Sequence, residues 1–204
     1  SSHVASMVSF SHKENTKGTR YLFDNWVKGS VINKNDVLIN NDNFSFNYDK
    51  ISNDLYLTSD KKQSIEIDRD QIKSFILKDN SGKEYDFVRV DGIKPNTFFQ
   101  SLSNVAGSKF AAYKWTKTRF KKSDYRTDGL TESGNNYDEY VDESTYYTID
   151  LTTNKITPFE LKKKSIKEAF STAKANTDKY FSLHKEDDFN DDFVTGLVNF
   201  LNSN

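Results

Sequence analysis

Four carboxylates, Asp138, Glu139, Asp142 and Glu143, interleave with the tyrosines Tyr137, Tyr140, Tyr146 and Tyr147 in one short stretch of this chain. Two carboxyls facing a common cleft about 5 to 10 Å apart are the acid and base of glycoside hydrolysis, and tyrosine rings offer a sugar a flat platform. The same residue types equally make a noncatalytic contact surface, or merely the solvated start of a strand. The sequence therefore nominates Tyr137, Asp138, Tyr140, Asp142 and Glu143 for contact with a ligand or partner, and assigns no catalytic residue.

Other chemistries find less support. A nucleophile needs a neighbouring base, and the histidines are poorly placed to be one. His3 falls in residues 1–7, which read as the remnant of an expression tag, and His12 falls in a polar N-terminal arm. His184 sits between two expected helices, where a solvated helix-end histidine is the ordinary case. The lack of cysteine removes disulfides, thiolate nucleophiles and Cys/His zinc sites. Residues 124–129 look like the start of a calcium loop, yet Arg126 holds a ligand position and Asn135 stands where a bidentate glutamate is required. The glycines form neither a P-loop nor a dinucleotide fingerprint. No metal and no cofactor is expected.

Lys114, Lys117, Arg119, Lys121 and Lys122 interleave with Tyr113, Trp115 and Phe120, the composition of a single-strand nucleic-acid groove. Strand alternation accounts for it more simply, because Tyr113 and Trp115 fall on one face and Lys114 on the other. Lysine plus arginine, 29, nearly cancels aspartate plus glutamate, 30, so no global field draws the chain to nucleic acid or to an anionic membrane. Nucleic acid is not an expected partner. Lys162, Lys163 and Lys164 likewise read as a solvated surface before a helix. No apolar run approaches the roughly 18 residues that span a bilayer, and no transmembrane segment is expected.

These side chains must be positioned by a chain whose aromatic share, 14%, offsets a hydrophobic share of only 35% with large buried rings. Short alternating runs between polar turns fill residues 19–90, at 26–32, 37–39, 44–48, 55–58, 65–67, 72–77 and 85–90. That is the pattern of an antiparallel meander. Phe44, Phe46 and Tyr48 occupy alternate positions and so share a face. The turns at 33–36, 59–62 and 79–82 carry residues that tolerate left-handed or self-bonded conformations. Residues 97–102 read as a short helix or an edge strand. A second β section follows at 109–120, 146–151 and 156–161, with a turn at 152–155 and Pro158 marking an edge. Residues 121–144 read as the longest loop, and long loops often carry function.

Residues 165–183 and 188–202 read as two helices. Ser165 and Glu168 make a capping box, and Ile166, Ala169, Phe170, Ala173, Thr177, Tyr180 and Phe181 form one stripe. Asp187 and Asp188 are expected to cap the second helix, with Asp191 and Asp192 near its positive end. Phe189, Phe193, Leu197 and Leu201 then lie on its buried face. The face carrying Phe44, Phe46 and Tyr48 is the expected partner of both stripes.

Gly18-Thr19-Arg20-Tyr21-Leu22 and Trp26-Val27-Lys28-Gly29-Ser30-Val31, then Phe46-Asn47-Tyr48-Asp49 before Asn53-Asp54-Leu55-Tyr56, resemble small exported β-rich proteins of Bacteroidota, periplasmic or surface-located. The 114–122 region, the Tyr146-Tyr147 pair and the lysine-rich approach to two terminal helices look like that group too. The likeness thus runs from Gly18 to Asn202. It implies a periplasmic, envelope or secreted location after removal of a signal peptide, and it carries over no catalytic residue.

The fold class expected is α+β: a β-rich antiparallel sheet, sandwich or partly open barrel followed by two C-terminal helices. Residues 1–17 are a tag remnant and flexible arm in this reading, and 18–204 a single β-rich domain with a candidate sub-boundary near 91–107. The expected function is that of a noncatalytic exported envelope module whose 121–144 loop binds a protein partner or extracellular ligand. The alternatives are a glycan-acting hydrolase using the 138–143 carboxylates, and a hydrophobic-ligand carrier with an apolar cavity between sheet and helices.

Overall fold

A computed structural model of the chain describes residues 3–5, 15–103 and 108–204. His12 and part of the 91–107 region lie outside the described residues. The protein is α+β and β-rich, and its largest sheet is open and mixed rather than closed. The chain forms two compact units, Ser1–Tyr85 with Thr116–Glu143, and Asp86–Trp115 with Ser144–Asn204. All three divisions fall inside strands, Glu84–Arg89, Phe110–Lys121 and Asp138–Asp150, rather than at a linker.

In the first unit Ser45–Asp49 and Asp54–Thr58 close a hairpin in the register Ser45↔Thr58 to Asp49↔Asp54. Ser64–Glu66 and His3–Ala5 extend it antiparallel. Lys28–Asn33 pairs with Ile72–Lys78 on one side and Leu38–Ile39 on the other. The turns that the sequence marks out each place one residue in the left-handed region, at Asp36, Lys61 and Gly82. Their side chains secure them from within: Asn33 Oδ1 accepts from the N–H groups of Asn35 and Val37 at 2.9 and 3.0 Å.

Phe46, Tyr48, Leu55, Val31, Phe75 and Leu77 are buried in this unit, with the Tyr48 ring 5.5 Å from Phe75. Asn47 and Asp49, on the side opposite the aromatics, are buried as well. Buried polar groups need partners, and these two find theirs in residues 18–26. Asn47 Nδ2 donates to the carbonyls of Phe23 (2.8 Å) and Asn25 (3.2 Å). Asp49 binds Arg20 at 2.5 Å.

In the second unit the strands run in the order Lys155–Phe159, Asp138–Asp150, Phe110–Lys121, Phe98–Ser101, Glu84–Arg89. Pro158 lies on the outer strand, as expected. Residues 97–102 are neither helix nor edge: Phe98–Ser101 pairs on both sides, because Phe98 and Phe99 are both fully buried and need a covered strand. Alternation sorts the rest. Phe110 and Ala112 join Tyr146 and Phe159 in the cluster with the helices, while Ala111 and Tyr113 join Phe99 and Trp115 in another.

Three helices close the chain, not two: Lys163–Ala169, Lys174–Leu183 and Asp191–Ser203. The expected 165–183 helix breaks at Phe170, whose ring lies 5.6 Å from Phe110 and 5.9 Å from Phe159. The next turn, Ser171–Ala173, is drawn out of the helix by Thr172, which donates to Asp150 at 2.9 Å. The capping box does not form, because the helix begins before Ser165, whose hydroxyl instead accepts from Glu160 N–H at 3.0 Å. Asn190, not Asp187 or Asp188, caps the last helix, accepting from Phe193 N–H at 2.9 Å. Asp191 and Asp192 do lie in its first turn.

The surface that the helices cover also differs from expectation. Phe170, Phe181, Phe193, Leu197 and Leu201 cluster with Leu102, Phe110, Tyr146 and Phe159, not with Phe44, Phe46 and Tyr48. Strands adjacent in sequence to the helices are their neighbours in space, which short connections favour. Among the described residues no helix is long and apolar enough to cross a membrane.

Candidate functional site

Residues 121–144 are not the open loop that the sequence suggests. A small hairpin, Arg126–Thr127 with Glu132–Ser133, occupies their first half, and the strand Asp138–Asp150 begins at once after Tyr137. Its start is ordered by parallel pairing of Asp138 and Glu139 with Thr16 and Lys17. Successive side chains on a strand point to opposite faces, so Asp138, Tyr140 and Asp142 share one face, and Glu139 and Glu143 the other. Residues four apart on one face are separated by roughly 13 Å, beyond the carboxyl spacing of a glycosidase. Asp138 and Glu143 also have partners of their own. Asp138 accepts from Ser123 N–H at 2.8 Å, and Glu143 pairs with Arg119 at 2.7 Å. Tyr137 lies under the Lys17 ammonium, 3.6 Å from the ring centroid.

Tyr140 and Asp142 do come together, in a cleft of about 460 Å³ that is also lined by Gly18, Tyr21, Phe23, Asp24 and Lys50. That volume falls within the range of about 300 to 1,000 Å³ usual for ligand sites. At its floor is Lys50, the residue after the Ser45–Asp49 strand and only 6% exposed. A buried ammonium must be paired, and Lys50 Nζ meets Asp142 Oδ1 and Oδ2 at 2.9 and 2.7 Å. Thr118 Oγ1 donates to Asp142 Oδ1 at 2.5 Å, which fixes the carboxylate from a second side. The Lys50 backbone N–H donates to Arg20 carbonyl at 2.9 Å.

One wall is the segment that Asn47 and Asp49 hold. Gly18 stands at φ +72°, and a Cβ there would lie 2.8 Å from the carbonyl of Tyr140, so only glycine lets the chain pass so close. The Tyr21 ring, edge-on to Tyr56 at 6.5 Å, and the half-buried Tyr140, whose ring lies 5.0 Å from Phe120, supply the aromatic surfaces. Burial, then the charge of Asp49, push the Tyr21 hydroxyl above the ordinary tyrosine range, with Tyr140 adding to the effect.

Several other residues singled out by sequence have partners within the protein. Asp124 and Asp128 accept backbone N–H groups, from Asn135 at 2.8 Å and from Thr131 at 2.7 Å, and these bonds hold their carboxyls below the ordinary range. Among the described residues no three His, Asp or Glu are placed to hold a metal ion. Lys114 pairs with Asp191 at 2.8 Å, and Tyr113 and Trp115 turn to the other face. His184 pairs with Asp187 at 2.8 Å and stacks on Tyr180. A second groove, about 560 Å³, lies on the helices and is walled by Lys163, Lys164, Lys167 and Lys174.

Lys50, Thr118 and the Arg20, Asn47, Asp49 support were not visible as site residues in the sequence. Polar residues alternating with aromatics on a strand ordinarily face water, and nothing local distinguishes a lysine that is buried from one that is not. No protein-family model matches this chain, and neither a curated protein nor a solved structure shows significant similarity to it.

Proposed function

We propose that this chain is a noncatalytic exported envelope module that binds an extracellular ligand in the cleft between Tyr21 and Tyr140. The carrying observation is the Lys50–Asp142–Thr118 network beneath an open, tyrosine-walled cleft. It neutralises a buried charge and fixes the floor, which is preorganisation for binding, and it ties Asp142 to Lys50 and Thr118 rather than leaving that carboxyl free to act as acid or base. The location in periplasm, envelope or outside the cell rests on the resemblance to exported Bacteroidota proteins.

The test is retention. Immobilised protein and its Asp24→Asn and Tyr140→Ala variants are exposed to an extracellular extract, and the molecules retained are identified by mass spectrometry. Retention by the unaltered protein alone, with the molecule recovered unchanged, is the expected result. Equal retention by the variants, or recovery of a cleaved product, rejects the reading. Detection only in the cytoplasmic fraction of cells rejects the location.

A further inference from the structure

The geometry points to a neutral saccharide as the occupant of the Lys50–Asp142 cleft, an inference that rests on the binding function proposed above and names its chemical class.

Charge decides first. The lining holds one ammonium and two carboxylates, those of Lys50, Asp24 and Asp142. Lys50 is committed to Asp142 through both carboxylate oxygens, and nearby Arg20 is committed to Asp49. An anionic ligand therefore meets no uncommitted cation in the lining and does meet the exposed carboxylate of Asp24. A cationic ligand finds Asp24, which is solvated, and Asp142, whose charge Lys50 already neutralises, and exposed ion pairs contribute little. The charge balance favours a ligand that carries none.

Hydrogen bonding decides next. An ammonium has three donors, and Lys50 places two on Asp142; among the described residues the third has no acceptor. Lys50 lines the cleft, so that donor is available to an oxygen inside it. Asp24 holds no bond among the described residues and offers acceptors at the rim. Tyr21 adds a hydroxyl to the lining, a group able both to donate and to accept. Donors and acceptors arranged this way around one space match a molecule whose every group is both, which is a polyol.

Shape decides last. Tyr21, Tyr140 and Phe23 add aromatic surface to an otherwise polar cleft. A pyranose has an apolar C–H face and a hydroxyl rim, so it is the neutral polyol that uses both. The cleft is open, which suits a residue within a longer chain.

The experiment uses defined probes: cellotetraose, maltotetraose, chitotetraose and, as a cationic control, spermidine. Each is titrated by NMR into the ¹⁵N-labelled full chain to about 10 mM, enough to register a Kd near 1 mM. At least one tetrasaccharide is expected to shift the amides of Gly18, Lys50 and Tyr140. Asp24→Asn, an exposed change that leaves the fold intact, and Tyr140→Ala are each expected to weaken it about tenfold, with Tyr140→Phe restoring most of the binding. Shifts that persist unchanged in both weakened variants overturn the assignment, as does cleft binding by spermidine alone. If no tetrasaccharide binds but retention from extract still depends on Asp24 and Tyr140, the saccharide class falls and the binding function stands. If retention is also indifferent to both residues, both fall.

Discussion

Lys50 and Asp142, 92 residues apart in sequence, meet through two hydrogen bonds of 2.9 and 2.7 Å, with the lysine side chain 8% exposed and the aspartate 46%. The asymmetry has an energetic consequence. Removing Asp142 leaves a buried ammonium without a counter-charge, whereas removing Lys50 leaves a carboxylate that water can still reach.

Asp142→Ala should therefore cost about 2 to 4 kcal/mol of unfolding free energy, and Lys50→Met about 1 kcal/mol or less. Urea denaturation of both variants checks the order. Equal losses, or a larger loss from Lys50→Met, would show that the pair is not desolvated as the geometry indicates.

Legibility from sequence follows the same division between local and long-range causes. The turn at Asp36, the alternation of Phe110 and Ala112 against Ala111 and Tyr113, and the buried face of the last helix were readable because each depends on residues within a few positions. The break at Phe170 was not, since it needs Asp150 to capture Thr172 across 22 residues. Tyr140 and Asp142, nominated on their types for contact with a ligand or partner, line the cleft. Tyr137, Asp138 and Glu143 were nominated on the same grounds, but strand geometry and their partners Lys17, Ser123 and Arg119 direct them elsewhere. Lys50 follows a strand whose two faces are both covered, a circumstance only the fold reveals.

Gly196 sits inside the last helix, where replacing glycine by alanine ordinarily stabilises by about 1 kcal/mol. Here a Cβ would lie 2.2 Å from the Tyr180 hydroxyl, so the usual sign reverses. Gly196→Ala should destabilise by about 1 to 3 kcal/mol, and Tyr180→Phe, which removes the obstructing oxygen, should recover much of that loss. A double-mutant cycle by thermal unfolding reads the coupling; simple additivity would refute the contact.

Asn202 fastens the last helix to the start of the Phe110–Lys121 strand. Its Oδ1 accepts from Lys109 and Phe110 N–H at 3.0 and 2.9 Å, and its Nδ2 donates to the Phe110 carbonyl at 3.0 Å. Asn202→Leu should cost about 1 to 3 kcal/mol, because two backbone N–H groups lose their acceptor. Hydrogen exchange localises the effect: the Phe110 amide should lose protection well before Ala112, and uniform loss along the strand would argue for global destabilisation instead.

Alkaline pH should weaken the fold through its tyrosines. Burial, followed by the bond it donates to Asp191 at 2.8 Å, raises Tyr146 above the ordinary range, and burial likewise raises Tyr48, Tyr56 and Tyr113. A group whose folded pKa lies above its unfolded value contributes stability that is complete below the unfolded pKa, about 10 for tyrosine, and is lost as pH climbs toward the folded value. Above about pH 10 the unfolded chain binds fewer protons than the folded one, so the slope of stability against pH is negative. Urea midpoints measured from about pH 8 to about pH 11 should be level at first and then fall. Tyr146→Phe should cost about 1 kcal/mol at neutral pH and make the alkaline fall shallower, since one of the responsible protons is gone. A midpoint that stays level to about pH 11, or a fall equally steep in the variant, would mean that these hydroxyls are not shielded as the structure places them.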